Sequence, residues 1–200
     1  MGLTAIFGGT FNPFHIGHYE MLETVNQLDF IDEILLMPDR IPPHKECDFL
    51  AGDEHRIEMC RIISEDFKKV KLCLIEFERE GKSYTYDTVL ELKTKFPDKN
   101  FTFVCGGDMI TTLDKWYKFE ELIKEISFIS FGRFEILQEQ FDKKVKSLKD
   151  IGADITVIDK KIIAVSSTQI RNDIEGCKHL LPEKIYYYLK DKGIYIENQI

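Results

Sequence analysis

Short apolar runs alternate with helical periodicity along most of this chain, and that alternation limits its possible folds more than any other feature. Leu3 to Phe7 reads as a buried strand, and Tyr19 to Val25 has the apolar spacing of a helix. Asp32 to Met37 predicts a second strand ending at Pro38. Helical periodicity returns over Glu54 to Phe67, where Ile57, Cys60, Ile62 and Ile63 are apolar. Val70 to Phe77 predicts a third strand with one polar face, and Tyr86 to Lys95 a helix. Phe101 to Cys105 is a continuous apolar run suited to a central parallel strand. Beyond it, helices are expected at Glu120 to Ile126 and Gln138 to Lys149, with strands at Phe128 to Phe131 and Ile155 to Ile158. The pattern predicts an α/β fold, a Rossmann-like doubly wound parallel sheet with right-handed crossovers. Ligands in such sheets sit beyond the carboxyl ends of the strands.

After Ala164 the character changes to helix alone, at Ser167 to Glu175 and Pro182 to Asp191, closed by Gly193 and the short Ile194-Tyr195-Ile196. The expected division is an α/β domain over 1–164 with a small helical appendage over 165–200. Pro38 to Asp53, with Pro42-Pro43 and Gly52, is the longest turn-rich stretch and is expected to be a mobile loop. Residues 132 to 160 carry no pattern that maps onto a role.

Composition excludes several classes. With 44% hydrophobic and 31% charged residues, the chain can bury a full core and stay in solution. Nothing approaches the roughly 18 consecutive apolar residues of a membrane helix, so no membrane association is expected. Met1-Gly2-Leu3 runs straight into the first strand, unlike a secretory signal. The five cysteines are scattered and odd in number, which argues against a disulfide framework or structural zinc and for a cytoplasmic protein with reduced thiols. A net charge of −8 disfavours broad nucleic-acid binding but leaves room for a small anionic substrate at a few placed cations.

Chemistry concentrates in Gly8-Gly9-Thr10-Phe11-Asn12-Pro13-Phe14-His15-Ile16-Gly17-His18, which links the first strand to the first helix. A glycine pair lets backbone approach a ligand, and a helix start offers N–H groups to an anion. His15 and His18, three apart, can face one ligand; a metal pair or ordinary surface histidines would share that spacing. Ser166-Ser167-Thr168-Gln169-Ile170-Arg171 places hydroxyls at a helix start, with Arg171 one turn in. They suit phosphate oxygens as well as an ordinary cap. Pro42-Pro43-His44-Lys45 offers a stiff basic loop, and Ser83 to Thr88 a helix-capping sequence. Gly106-Gly107-Asp108 ends the most apolar strand, where Asp108 can accept ribose hydroxyls. Trp116, among charged neighbours, can stack on a ring or fill the core.

In their order, these segments resemble the bacterial nicotinate-nucleotide adenylyltransferases. These belong to the nucleotidyltransferase superfamily with a His-x-Gly-His signature, related to class I aminoacyl-tRNA synthetases. The resemblance covers nearly the whole chain, including Tyr188-Leu189-Lys190-Asp191-Lys192-Gly193-Ile194-Tyr195. It implies that ATP and nicotinate mononucleotide are joined into the deamido dinucleotide with release of pyrophosphate. By this resemblance His15 and His18 are catalytic and bind the triphosphate, with Gly8, Gly9 and Thr10 beside them. Ser167, Thr168 and Arg171 hold ATP phosphates, while Gly106 and Asp108 contact adenosine. His44 and Lys45 lie toward the mononucleotide phosphate, Thr85 receives the nicotinate carboxylate and Trp116 stacks on the pyridine. Magnesium is expected to arrive with ATP, with no protein cage of its own. Rival acceptors are nicotinamide mononucleotide and phosphopantetheine; a silent nucleotide sensor is the rival of another class. The sequence specifies no oligomeric state.

Overall fold

A computed structural model of the chain describes residues 2–40, 49–79, 81–132 and 138–195. Its centre is a six-stranded, wholly parallel sheet in the order β3-β2-β1-β4-β5-β6. The strands are β1 (Leu3–Gly9), β2 (Ile31–Pro38), β3 (Val70–Leu72), β4 (Asn100–Cys105), β5 (Ser127–Phe131) and β6 (Ile155–Ile158). Eight helices accompany them among the described residues: α1 (Ile16–Asn26), α2 (Asp53–Ser64), α3 (Thr85–Lys95), α4 (Gly107–Thr111), α5 (Phe119–Glu125), α6 (Gln138–Asp150), α7 (Ser167–Asn172) and α8 (Glu183–Asp191).

Side-chain alternation divides the interior into two layers. Ala5 and Phe7 of β1, Ile34 and Leu36 of β2, and Val104 of β4 face one layer, where α1, α2, α7 and α8 supply Leu22, Met59, Ile170, Ile185 and Leu189. Ile6, Leu35, Met37, Phe103 and Cys105 face the other, closed by Val89 and Leu92 of α3, Leu122 of α5 and Phe141 of α6. Burial on both faces is why the strands read as near-continuous apolar runs. The carboxy-terminal helices share their core with β1, β2 and β4.

Three elements depart from the sequence expectation. The third strand ends at Leu72, and Ile75–Phe77 forms a 3-10 turn. β3 is an edge strand pairing with β2 alone, and that neighbour ends at Pro38, which has no N–H for a ladder. α7 stops at Asn172, where the Asp173 carboxylate reaches forward to accept the Gly176 N–H at 2.8 Å. The short helix α4 follows β4 directly, where only a glycine turn is expected from sequence.

In this strand order β1 has β2 on one side and β4 on the other, so consecutive crossovers leave in opposite directions. A crevice opens at such a switch point beyond the strand ends. The turn after β1 therefore lies at its mouth.

Candidate active site

The turn from β1 into α1 braces itself. His15 is the N-cap of α1, and its Nδ1 accepts the His18 backbone N–H at 3.3 Å. The His15 backbone N–H in turn donates to His18 Nδ1 at 3.3 Å. This reciprocal cap uses imidazoles where a serine and a glutamate would ordinarily serve. The two rings stack at 3.6 Å, 13° from parallel. Because each Nδ1 accepts, the ring proton sits on Nε2, and both histidines present N–H donors. His15 is buried and His18 half-buried. Phe11 and Phe14 lie against the His18 ring with centroids 5.1 and 5.3 Å away. Phe11 holds a left-handed backbone, φ 48°, a costly conformation for a non-glycine residue that surroundings must impose. The Asn12–Pro13 peptide is cis.

Asn12 ties this turn to its neighbours. Its side chain donates to the Phe49 carbonyl at 2.8 Å and accepts from the Ala51 N–H and the Tyr195 hydroxyl at 3.0 and 2.6 Å. Its own carbonyl accepts from Arg171 Nη1 at 2.9 Å, which joins α7 to the turn. Gly17 is required by a close approach: a Cβ there would stand 2.9 Å from the Ile163 carbonyl oxygen. That segment is pinned to α1 where the Ile163 N–H donates to Glu20 at 2.8 Å.

Arg56 of α2 is fully buried and joins the loops that follow β1 and β2. It donates to the carbonyls of Thr10, Asp39, Arg40 and Ala51 and pairs with Asp39 at 3.3 Å and Asp53 at 2.5 Å. The Thr10 hydroxyl donates to Asp39 at 2.9 Å, so a contact from Thr10 to phosphate falls to its backbone.

These segments enclose a cleft of about 1720 Å³, larger than the roughly 300–1,000 Å³ of common small-ligand pockets and roomy enough for two nucleotides. Gly8, Gly9, Thr10, His15 and His18 line it, together with Gly106, Asp108, Ser167, Thr168 and Arg171, and so do Thr85 and Trp116. His44 and Lys45 lie outside the described residues. Ser166 caps α7 by accepting the Gln169 N–H at 3.4 Å, while Thr168 Oγ1 accepts from Arg171 at 3.1 Å. Trp116 stands edge-on to Phe103 at 5.6 Å, half-buried, with one part in the core and one on the cleft. Nearby, Tyr84 and Tyr117 pair at 4.6 Å, beside the start of α3. Among the described residues no group of three His, Cys, Asp or Glu side chains converges to hold a metal.

Sequence reasoning passed over Asp39, Arg56 and Glu76. Asp39 and Glu76 line the cleft, and Arg56 supports it from below. Arg56 carries a recognisable signal, an arginine at helical spacing with the apolar Met59, Cys60 and Ile63, but its partners are mostly carbonyls that no motif reports.

The parallel sheet, the switch-point cleft, the stacked histidines on a strand-to-helix turn and the arginine tied to that turn define a nucleotidyltransferase architecture. Residues 6–173 match the cytidylyltransferase-like family model. A Listeria innocua serovar 6a protein named as a probable nicotinate-nucleotide adenylyltransferase is 37% identical over 190 residues, covering 95% of each chain. A Bacillus mycoides protein of the same name is 36% identical over 194 residues, 95% of this chain and 96% of that one. Among solved structures, Plasmodium falciparum nicotinic acid mononucleotide adenylyltransferase complexed with NaAD matches over 100% of both chains, with a TM-score of 0.78 at 25% identity. This chain belongs to the nicotinate-nucleotide adenylyltransferase family.

Proposed function

We infer that this protein is an adenylyltransferase of NAD biosynthesis, joining ATP and nicotinate mononucleotide into nicotinate adenine dinucleotide and pyrophosphate. The observation that supports this is one cleft lined both by the His15 to His18 turn, with Arg171 joined to it through the Asn12 carbonyl, and by aromatic residues near the start of α3. The chain's relatives carry the same activity in their names.

The mononucleotide's 5′-phosphate oxygen attacks the α-phosphorus of ATP in line. A new P–O bond forms, the bond between the α- and β-phosphates breaks, and pyrophosphate leaves with the electron pair. An ionised phosphate needs no general base, so positioning and charge stabilisation carry the rate. His15 and His18 donate Nε2–H groups to the phosphate oxygens as charge develops. The backbone of Gly8, Gly9 and Thr10 and the side chains of Ser167, Thr168 and Arg171 hold the triphosphate, and Gly106 and Asp108 hold adenosine. His44 and Lys45 take the acceptor phosphate, the amides at Thr85 the nicotinate carboxylate, and Trp116 the pyridine face. Magnesium, which suits the hard oxygens of the ATP phosphates, would be brought by ATP and would supply neutralisation of phosphate charge. The free cysteines among the described residues, Cys60, Cys73, Cys105 and Cys177, support a cytoplasmic enzyme. No described helix is long and apolar enough to cross a membrane.

The test is product identification by chromatography and mass spectrometry with ATP, magnesium and nicotinate mononucleotide. Equimolar dinucleotide and pyrophosphate, lost on chelation with EDTA, are expected. ATP hydrolysis without dinucleotide would overturn the assignment.

A further inference from the structure

Glu76 sits in the 3-10 turn after β3, on the cleft wall, 7% exposed. One of its carboxyl oxygens is fully engaged. Oε1 accepts the Thr88 hydroxyl at 2.8 Å and lies 3.8 Å from Arg79. Oε2 is buried and has no hydrogen-bond partner among the described residues. The Ser83 hydroxyl lies close enough to favour the ionised carboxylate, and is itself buried with no other partner among those residues. Buried polar atoms are paired in the great majority of cases; Oε2 has almost no accessible surface, and a small rotation of the cleft-lining Glu76 side chain would bring it to a donor on the ligand.

Position and chemistry narrow that donor. Glu76 feels the charge of Asp39 at the end of β2 on one side. On the other stand Ser83 and the start of α3 at Thr85. On the assignment proposed above this is the acceptor half of the cleft, whose lining includes Thr85 and Trp116. On the acid-form mononucleotide the carboxylate and ionised phosphate only accept hydrogen bonds, and the ring nitrogen bears no hydrogen. The only hydrogen-bond donors left are the ribose hydroxyls. We propose that Glu76, with Ser83 beside it, takes the ribose hydroxyls of the acceptor mononucleotide and makes the enzyme selective for an intact ribose. This rests on the adenylyltransferase function above and adds a residue that the signature motifs do not contain.

The experiment compares kcat/KM for nicotinate mononucleotide with its 2′-deoxy and 3′-deoxy forms, in the wild type, Glu76→Gln and Glu76→Leu. A hydrogen bond to a charged group predicts that the wild type loses about ten- to a hundred-fold on at least one deoxy form. In both variants that penalty should shrink below about three-fold, with the KM for ATP unchanged. A wild type indifferent to both deoxy forms would overturn the proposal without any variant, even if the variants fail to fold. An undiminished penalty in folded variants would do the same. So would a change confined to the ratio of acid to amide acceptor, which would put Glu76 at the carboxylate instead. Absence of wild-type turnover with the intact mononucleotide would instead count against the adenylyltransferase function itself.

Discussion

One wall of the cleft, to which we assign the ATP donor, is a single continuous turn. His15 and His18 cap one another, Phe11 and Phe14 pack against the His18 ring, and Asn12 fixes the turn to Phe49, Ala51 and Tyr195. On the acceptor side the wall is assembled from separate pieces: the β2 end, the 3-10 turn at Glu76, the start of α3 and Trp116. The first turn satisfies its own polar groups, whereas the other wall keeps buried oxygens at Glu76 and Ser83 without a hydrogen-bond partner among the described residues. A group transfer needs rigid charge stabilisation where the bond breaks, while choosing a substrate needs unsatisfied groups that only the right ligand completes.

Arg56 spans both walls, so its removal should break the contrast most severely. Arg56→Met would leave the Asp39 carboxylate without its buried ion-pair partner and four carbonyls without their donor. A loss of about 3–5 kcal/mol in urea unfolding is expected. A loss below about 1 kcal/mol would show that the two walls do not depend on it. Next in size, His18→Ala should lower kcat about 10²–10³-fold while far-UV circular dichroism stays native, as for removal of one oxyanion donor. Near-normal turnover would end its catalytic role. Trp116→Ala sharpens the contrast from the other wall. Loss of one stacking contact should raise the KM for the mononucleotide roughly ten-fold and leave that for ATP unchanged. If only the ATP constant moved, the stacking assignment would be wrong. Tyr195→Phe, which removes a donor to Asn12, should cost about 1 kcal/mol of stability by the same unfolding measurement.

The smallest effect is a pH dependence. Burial pushes the Glu76 carboxyl up from its ordinary value; the Thr88 and Ser83 hydroxyls and Arg79 oppose this, and Asp39 adds to it. A carboxyl raised on folding binds more protons native than unfolded, so native stability is lost as pH climbs from the ordinary glutamate value through the raised one. Glu76→Gln should therefore melt above the wild type at pH 8, with the gain vanishing below the ordinary glutamate range. A gain that persisted in acid would show that the ionised form of Glu76 is not what costs stability.

The fold is legible in the sequence because parallel strands buried on both faces advertise themselves as apolar runs; β4, expected at Phe101 to Cys105, is Asn100–Cys105. The donor turn is legible because its residues are contiguous. Glu76 is misread because Ile75-Glu76-Phe77 looks like strand alternation, which would point the glutamate to solvent. In fact an edge strand with one neighbour gives way to a 3-10 turn that swings it inward. Arg56 escapes notice for a related reason, since its partners are mostly backbone groups brought close only by the fold.

The central claim is transfer of adenylate to an acid-form pyridine mononucleotide. It is tested most directly by pyrophosphate release with ATP and magnesium, offering nicotinate mononucleotide, nicotinamide mononucleotide and phosphopantetheine in parallel. A marked preference for the nicotinate form is the predicted result. Equal use of acid and amide would contradict carboxylate recognition at α3, and ATP binding without turnover of any acceptor would contradict the enzyme assignment.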